Sequence, residues 1–244
     1  KAYFKLRKLL AIDIINPKLY LDIFDKTVIP ILTYGSELWG TFNIKTKRYK
    51  NNGSPEYLYE ELIGEKLHTK LCKILLGVHQ KASNIATRAE LGRYPIMITI
   101  LANIISYRHR LENLENNILL QNSFNDDVML YESGIVSWYS CSQEILRLTE
   151  ISNAMIKKLT SKTIRKKAIK KLNEMYDTYF RNAIFNDKRK DPNEQNKLRT
   201  YRLFKQTIHY EPYLNLKLSK NIMKKYSQFR LSAHKLNIET ARHI

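Results

Sequence analysis

An all-α fold is predicted for this 244-residue chain: a multi-helix bundle followed by long basic amphipathic helices. Three observations carry the prediction. Apolar residues recur at three- and four-residue spacing through 67–78 and 98–111, which lines one face of a helix. Asn16-Pro17 and Ser54-Pro55 each pair a capping side chain with a proline suited to a first turn. All seven glycines fall between Gly35 and Gly134, so the last third of the chain is free of the residue that most readily interrupts a helix.

In chain order, Asn16-Pro17 opens a helix, and Lys45–Pro55 (KTKRYKNNGSP) reads as a loop ending in the second capping pair. Leu67, Leu71, Ile74, Leu75 and Val78 form the next stripe, with Gly77 near its end. A further stripe (Ile98, Leu101, Ile104, Ile105, Arg108, Leu111) begins just after Pro95. Asn122-Ser123 and Asp126-Asp127 suit a helix start, where acidic side chains complement the dipole. From Ile156 the pattern is amphipathic and basic. Ile156, Leu159, Leu172, Met175, Tyr176, Tyr179, Ala183 and Ile184 share one broad apolar face. Asn186–Gln195 (NDKRKDPNEQ) is the linker candidate. Asp191-Pro192 caps a helix expected over 192–207, and a last one is expected over 219–231. The expected organisation is therefore 1–120, a helical bundle; 121–185, linker and basic amphipathic helices; and 186–244, a basic helical segment.

The chain carries 42 Lys/Arg against 23 Asp/Glu, a formal charge of +19. Residues 151–244 hold 23 against 7 and residues 1–150 hold 19 against 16, so the excess lies in the last third. Such a surface seeks an anionic partner, and nucleic acid is the first candidate. Like charges at four-residue spacing on a helix repel one another unless phosphates relieve them. The candidate phosphate contacts are Lys157, Lys158, Lys162, Arg165, Lys166, Lys167, Lys170 and Lys171. To these are added Lys188, Arg189 and Lys190 in the linker, then Arg199, Arg202, Lys205, Lys224 and Lys225. The alternative partners are an acidic protein or an anionic membrane surface, with the chain acting as a helical scaffold. No apolar run approaches the roughly 18 residues that span a bilayer. Cys72 and Cys141 make no disulfide framework and read as reduced, intracellular thiols. The absence of an initiator Met suggests a piece of a longer protein.

Chemistry is sparsely signalled. The Gly-rich phosphate loops GxGxxG and GxxxxGK[ST] are absent, no serine lies in GxSxG, and neither cysteine sits in CxxC. His68, His79, His109, His209, His234 and His243 have no partner at metal-ligand spacing. Asp22 and Asp25 read as helix-surface residues. Phe124–Leu130, FNDDVML, matches the aromatic-x-Asp-Asp signature of polymerases that copy RNA, whose two carboxylates bind divalent metal ions. A divergent polymerase built on it is the enzymatic alternative, but it would need a third carboxylate and a palm to present it. No catalytic or metal-binding residue is assigned.

Leu21–Gly40, LDIFDKTVIPILTYGSELWG, resembles the segment just C-terminal to the catalytic palm in reverse transcriptases of non-LTR (LINE-type) retrotransposons. The matching residues include Phe24-Asp25, Pro30, and the run Tyr34-Gly35-Ser36-Glu37-Leu38-Trp39-Gly40. His68–Gly77 (HTKLCKILLG) and Ser83–Pro95 (SNIATRAELGRYP, with Glu90, Gly92, Arg93 and Pro95) follow in the family's order. Lys197–Leu214 (KLRTYRLFKQTIHYEPYL) and Arg230–Arg242 (RLSAHKLNIETAR, with His234, Glu239 and Arg242) complete the series.

The resemblance implies a thumb-like bundle and its following linker, without the palm. The family's Asp-Asp motif would precede Lys1, and the Mg2+ it binds belongs to the parent polymerase. It further implies RNA, RNA–DNA or DNA duplex as partner, the upstream fingers and palm of the same polyprotein, and a ribonucleoprotein of cytoplasm and nucleus. Ala241 departs from the family's glycine, and the Cys/His zinc-binding element that usually follows is not reached by Ile244. Tyr34 and Trp39 read as core anchors; Gly35 and Gly40 read as sites of tight turns or close helix approach. Tyr201, Phe204, Tyr210 and Tyr213 either anchor helices or stack on unpaired bases.

Overall fold

The structure, a computed structural model, describes residues 16–41, 62–185, 201–216 and 218–234, together with residues 5, 60 and 198. Among them the regular structure is helical, apart from one isolated antiparallel bridge between Leu91 and Tyr210. The all-α expectation holds. The chain divides into two compact units, one made of 1–32, 63–95 and 176–244 and the other of 33–62 and 96–175. That interleaving differs from the sequential division into 1–120, 121–185 and 186–244, because helices far apart in sequence complete each other's cores.

In the first unit, α1 (Pro17–Thr27) starts where Asn16 accepts the Lys18 N–H at 2.8 Å, with Pro17 in the first turn. It buries Tyr20, Leu21 and Phe24, and short α2 (Ile29–Leu32) follows at once. α3 (Ile63–Leu76) buries Leu71, Cys72, Leu75 and Leu76. It ends in paired bonds from Gly77 N–H to Ile74 O and from Val78 N–H to Lys73 O, with Gly77 at φ +65°. α4 (Asn84–Glu90), capped by Ser83, is buried along most of its length. Later in the chain come α10 (Tyr201–Phe204), a 3-10 turn (Pro212–Asn215) and α11 (Lys220–Arg230). The helix expected over 192–207 is thus described only at Tyr201–Phe204 and has ended by Lys205, whose side chain turns inward. The helix expected over 219–231 is present as α11.

A chain of buried charges ties this unit together. Glu90, fully buried, accepts from Arg230 Nε at 2.5 Å, and Tyr201 Oη lies 3.1 Å from Glu90 Oε2. Arg230 Nη2 also reaches Glu211 Oε2 at 2.9 Å, and Lys205 Nζ reaches Glu211 Oε1 at 2.5 Å. Two carboxylates thus meet two cations, and each cation is desolvated only because its partner is beside it. The backbone is drawn in as well, with the Glu211 N–H donating to Glu90 O at 3.1 Å. Gly92, at φ +63°, makes this pairing possible. A Cβ there would lie 2.5 Å from the Tyr210 nitrogen. A second buried set surrounds Arg88, whose Nε donates to Tyr176 Oη at 2.9 Å and whose Nη1 donates to Thr69 at 3.2 Å. Asp25 is not a plain surface residue. It forms a bidentate ion pair with Arg93, whose Nε also donates to His68 Nε2 at 3.2 Å.

The second unit is built on α5 (Ile96–Glu112), which starts just after Pro95 and is apolar nearly all round, as a helix enclosed by others must be. Around it lie helical residues 36–41, α6 (Ile118–Glu132), α7 (Trp138–Thr149), α8 (Asn153–Lys158) and the first part of α9 (Ser161–Phe185). The basic amphipathic pattern from Ile156 is therefore two helices, with a break at Leu159-Thr160. Ile164, Ala168, Leu172, Tyr176, Phe180 and Ile184 are the buried residues of α9, so its buried stripe differs from the face read off the sequence. A strict four-residue step advances about 40° at each repeat, so the stripe winds around the helix. Arg108 is satisfied inside, by Glu112 at 2.8 Å, Ser142 at 2.7 Å and the face of Tyr139 at 4.1 Å.

Glu90→Gln is expected to cost about 3–5 kcal/mol of stability in urea denaturation, because it strands Arg230 in the interior. Gly92→Ala should cost at least about 1–2 kcal/mol from the left-handed backbone alone, with the clash against Tyr210 added. An unchanged midpoint for either would remove the network from its structural role.

Alkaline pH should destabilise the first unit. Burial, then the Glu90 carboxylate, pushes the Tyr201 phenol well up. Burial pushes Tyr94 and Tyr210 up to about 12 and raises Tyr213 further. A phenol raised in the folded state contributes stability that is complete below its unfolded value, about pH 10, and is lost as pH rises toward the folded value. Lys205, lowered by burial, acts in the opposite sense but is one group against four. Thermal melts should therefore show a midpoint that falls above about pH 10, with a shallower fall for Tyr201→Phe.

Candidate nucleic-acid interface

Residues 151–173 contain eight Lys/Arg and no Asp/Glu. Folding sorts these eight. Lys157 and Lys158 end α8, and Lys162, Lys166 and Lys170 project from α9; all five are exposed. None of the five is ion-paired with a described residue. Lys162, Lys166 and Lys170 stand about 6 Å apart along the helix axis.

Lys162, Arg165 and Lys166 sit near the start of α9, where the helix dipole is positive, and no acidic residue shares the first turn. A helix that served only its own stability would carry the opposite charge there. The remaining three are engaged. Arg165 donates to Asn103 Oδ1 at 2.7 Å, Lys171 pairs with Glu150 at 2.6 Å, and Lys167 Nζ lies 3.2 Å from the Met155 sulfur.

The structure removes Lys205 from the candidate contacts. It is fully buried, its ammonium held by Glu211 and the His209 carbonyl. A cation with only a four-carbon stem cannot serve the interior network and a phosphate at once. Arg202 is half-buried, and Lys225 is exposed. Lys224 lays its aliphatic stem over Gly77, where a Cβ would meet its Cγ at 2.3 Å. Lys188, Arg189, Lys190 and Arg199 lie outside the described residues, as do Glu239, Arg242 and the loop at 45–55.

The residues quoted for the resemblance are mainly structural here. Phe24 and Glu90 are buried, Pro95 introduces α5, and His234 stacks on Phe229. Pro30 is exposed as the second residue of α2. Tyr34 is no core anchor: its ring is 86% exposed, and only its carbonyl is used, accepting from Trp39 Nε1 at 2.8 Å. The turn at Gly35, with φ +64°, carries the ring outward. The anchor that sequence reading missed is Trp138, whose Nε1 donates to the Glu37 carbonyl at 2.8 Å and whose ring packs edge-on to Tyr107. Gly40 lies against Ile100, 2.6 Å from where its Cβ would be. Of the aromatics with two readings, Tyr201 and Tyr213 are buried anchors, while Phe204 remains 46% exposed.

FNDDVML is not a helix start. α6 begins at Ile118 behind the Asn117 cap, which places Asp126 and Asp127 in its second half. Asp127 nevertheless serves one: its carboxylate accepts the Tyr139 N–H at 2.5 Å and so caps the neighbouring α7, beside Ser137. Among the described residues no group of three His, Cys, Asp or Glu is placed to hold a metal ion. No described helix is long and apolar enough to cross a membrane. Comparison with known proteins adds no identity: no family model, no curated protein and no solved structure matches this chain.

Proposed function

We propose that the chain is a non-catalytic nucleic-acid-binding helical module that holds an RNA-containing or DNA duplex through its phosphates. The observation that carries this is the row of five exposed lysines on α8 and the first part of α9 that have no ionic partner among the described residues, with Lys162 and Lys166 near the positive end of the α9 dipole. Ammonium groups on flexible stems suit backbone contacts, which fix position and affinity without reading sequence. The resemblance to the thumb and following linker of LINE-type reverse transcriptases agrees with that task. In that reading the parent protein is an RNA-directed DNA polymerase, and its Mg2+ is bound by a palm outside this chain.

The test is titration of the chain with RNA–DNA hybrid, RNA and DNA duplexes across a salt series. Log affinity should fall linearly with log salt, with little dependence on base sequence. Replacing Lys162, Lys166 and Lys170 by Glu should weaken every duplex alike and flatten the slope by about one per lysine removed. The same change at Lys18, Lys26 and Lys81, exposed in the other unit, alters net charge equally and should have a much smaller effect. Salt-independent affinity, or tight binding to anionic vesicles with none to duplex, would overturn the proposal.

A further inference from the structure

A cavity of about 310 Å3 opens in the second unit where α5, α6, α7 and α8 meet. Its aromatic wall is Phe124 and Tyr139, whose ring centroids lie 5.7 Å apart at 60°. Tyr139 is fixed in place: the Arg108 guanidinium covers it at 4.1 Å, and Gln143 donates to its hydroxyl at 2.8 Å. A ring held in this way loses little freedom when a planar ligand arrives.

The polar lining offers both donors and acceptors. Asn125 is exposed and makes no hydrogen bond to a described residue. Gln121 spends one amide N–H on the Leu114 carbonyl at 2.9 Å, which leaves its oxygen as an acceptor. Asn153 accepts from Arg108 at 3.4 Å and keeps its amide N–H groups. The Glu112 carboxylate is already paired with Arg108 at 2.8 Å, and Lys157, from the exposed lysine row, supplies a cation at the edge.

The geometry points to a site for one unstacked nucleobase of a single-stranded segment, with Lys157 on the adjoining phosphate. An aromatic wall with mixed amide hydrogen bonding matches the face and edge of a base. The amide groups disfavour a purely apolar ligand. The inference deepens the nucleic-acid reading and rests on it, since Lys157 belongs to both surfaces.

Three ligands of equal length separate the two ideas: a single strand, the same strand carrying abasic positions, and a duplex. The intact strand should bind about tenfold more tightly than the abasic one. Phe124→Leu and Asn125→Ala should each bring the intact strand toward the abasic value while leaving duplex affinity unchanged. Asn125 is exposed, so its substitution leaves the fold intact should Phe124→Leu disturb it. Equal binding of intact and abasic strands, with duplex binding retained, overturns the cavity assignment alone. Base-dependent strand binding without duplex binding supports the cavity and overturns the duplex reading. Failure of all three ligands overturns both.

Discussion

The buried carboxylate of Glu90 sets the terms for the first unit. Taking that charge out of water costs several kcal/mol, and only a cation brought to it makes the site tenable. The cation is Arg230, 140 positions later in the chain, so α4 and α11 cannot form their native surroundings independently. Arg230 in turn needs Glu211, and Glu211 holds Lys205. The Leu91–Tyr210 bridge and the Glu211 N–H bond align the two backbones so that these side chains meet. Segments 63–95 and 176–244 are joined by this network and by a shared apolar core that includes Leu71, Leu75, Phe180 and Ile184.

The same logic divides the basic residues of the chain into two populations. Those inside are mostly arginines: Arg88, Arg108 and Arg230 each reach several acceptors or an aromatic face at once. The planar guanidinium, with five donors, suits a site that must be satisfied in several directions. The exposed charges without an ionic partner among the described residues on α8 and the first part of α9 are Lys157, Lys158, Lys162, Lys166 and Lys170, point charges on flexible stems. Formal charge therefore overstates the interface, because part of it is consumed in the interior. What remains is local, and all five of these lysines lie in the second unit, as does the cavity that Lys157 borders.

Much of the helical content was legible because it depends on local chemistry. Asn16-Pro17, the 67–78 stripe with Gly77 at its end, and the stripe through Ile98–Leu111 are each set by residues within a few turns. The errors come from non-local terms. Lys205 reads like any basic residue on a helix, and nothing near it in sequence shows that Glu211 will fold back over it. Tyr34 looks like an anchor by residue type, yet the left-handed turn at Gly35 carries it into solvent. The buried stripe of α9 departs from the face its sequence suggests because a winding four-residue repeat serves different neighbours along its length. Of the candidate site, the lysines were visible as a run. Which of them stay free depended on partners such as Asn103 and Glu150 that only folding brings near.

FNDDVML shows how far a letter pattern can stand from its use. α6 has no buried residue, and Ile118, Leu119 and Met129 are largely exposed, so apolar burial does little to hold it. Its attachment relies on Asp127, whose carboxylate accepts from Tyr139 and whose carbonyl accepts from Ser137 Oγ at 3.2 Å, and on the edge contact of Phe124 with Tyr139. A helix held by a few polar bonds rather than by a packed face lies at the low end of local stability. α6 also supplies Gln121, Phe124 and Asn125 to the cavity. The Asp127–Tyr139 bond therefore joins the helix that carries Phe124 and Asn125 to the helix that carries Tyr139, and so sets the spacing of the two walls of the cavity.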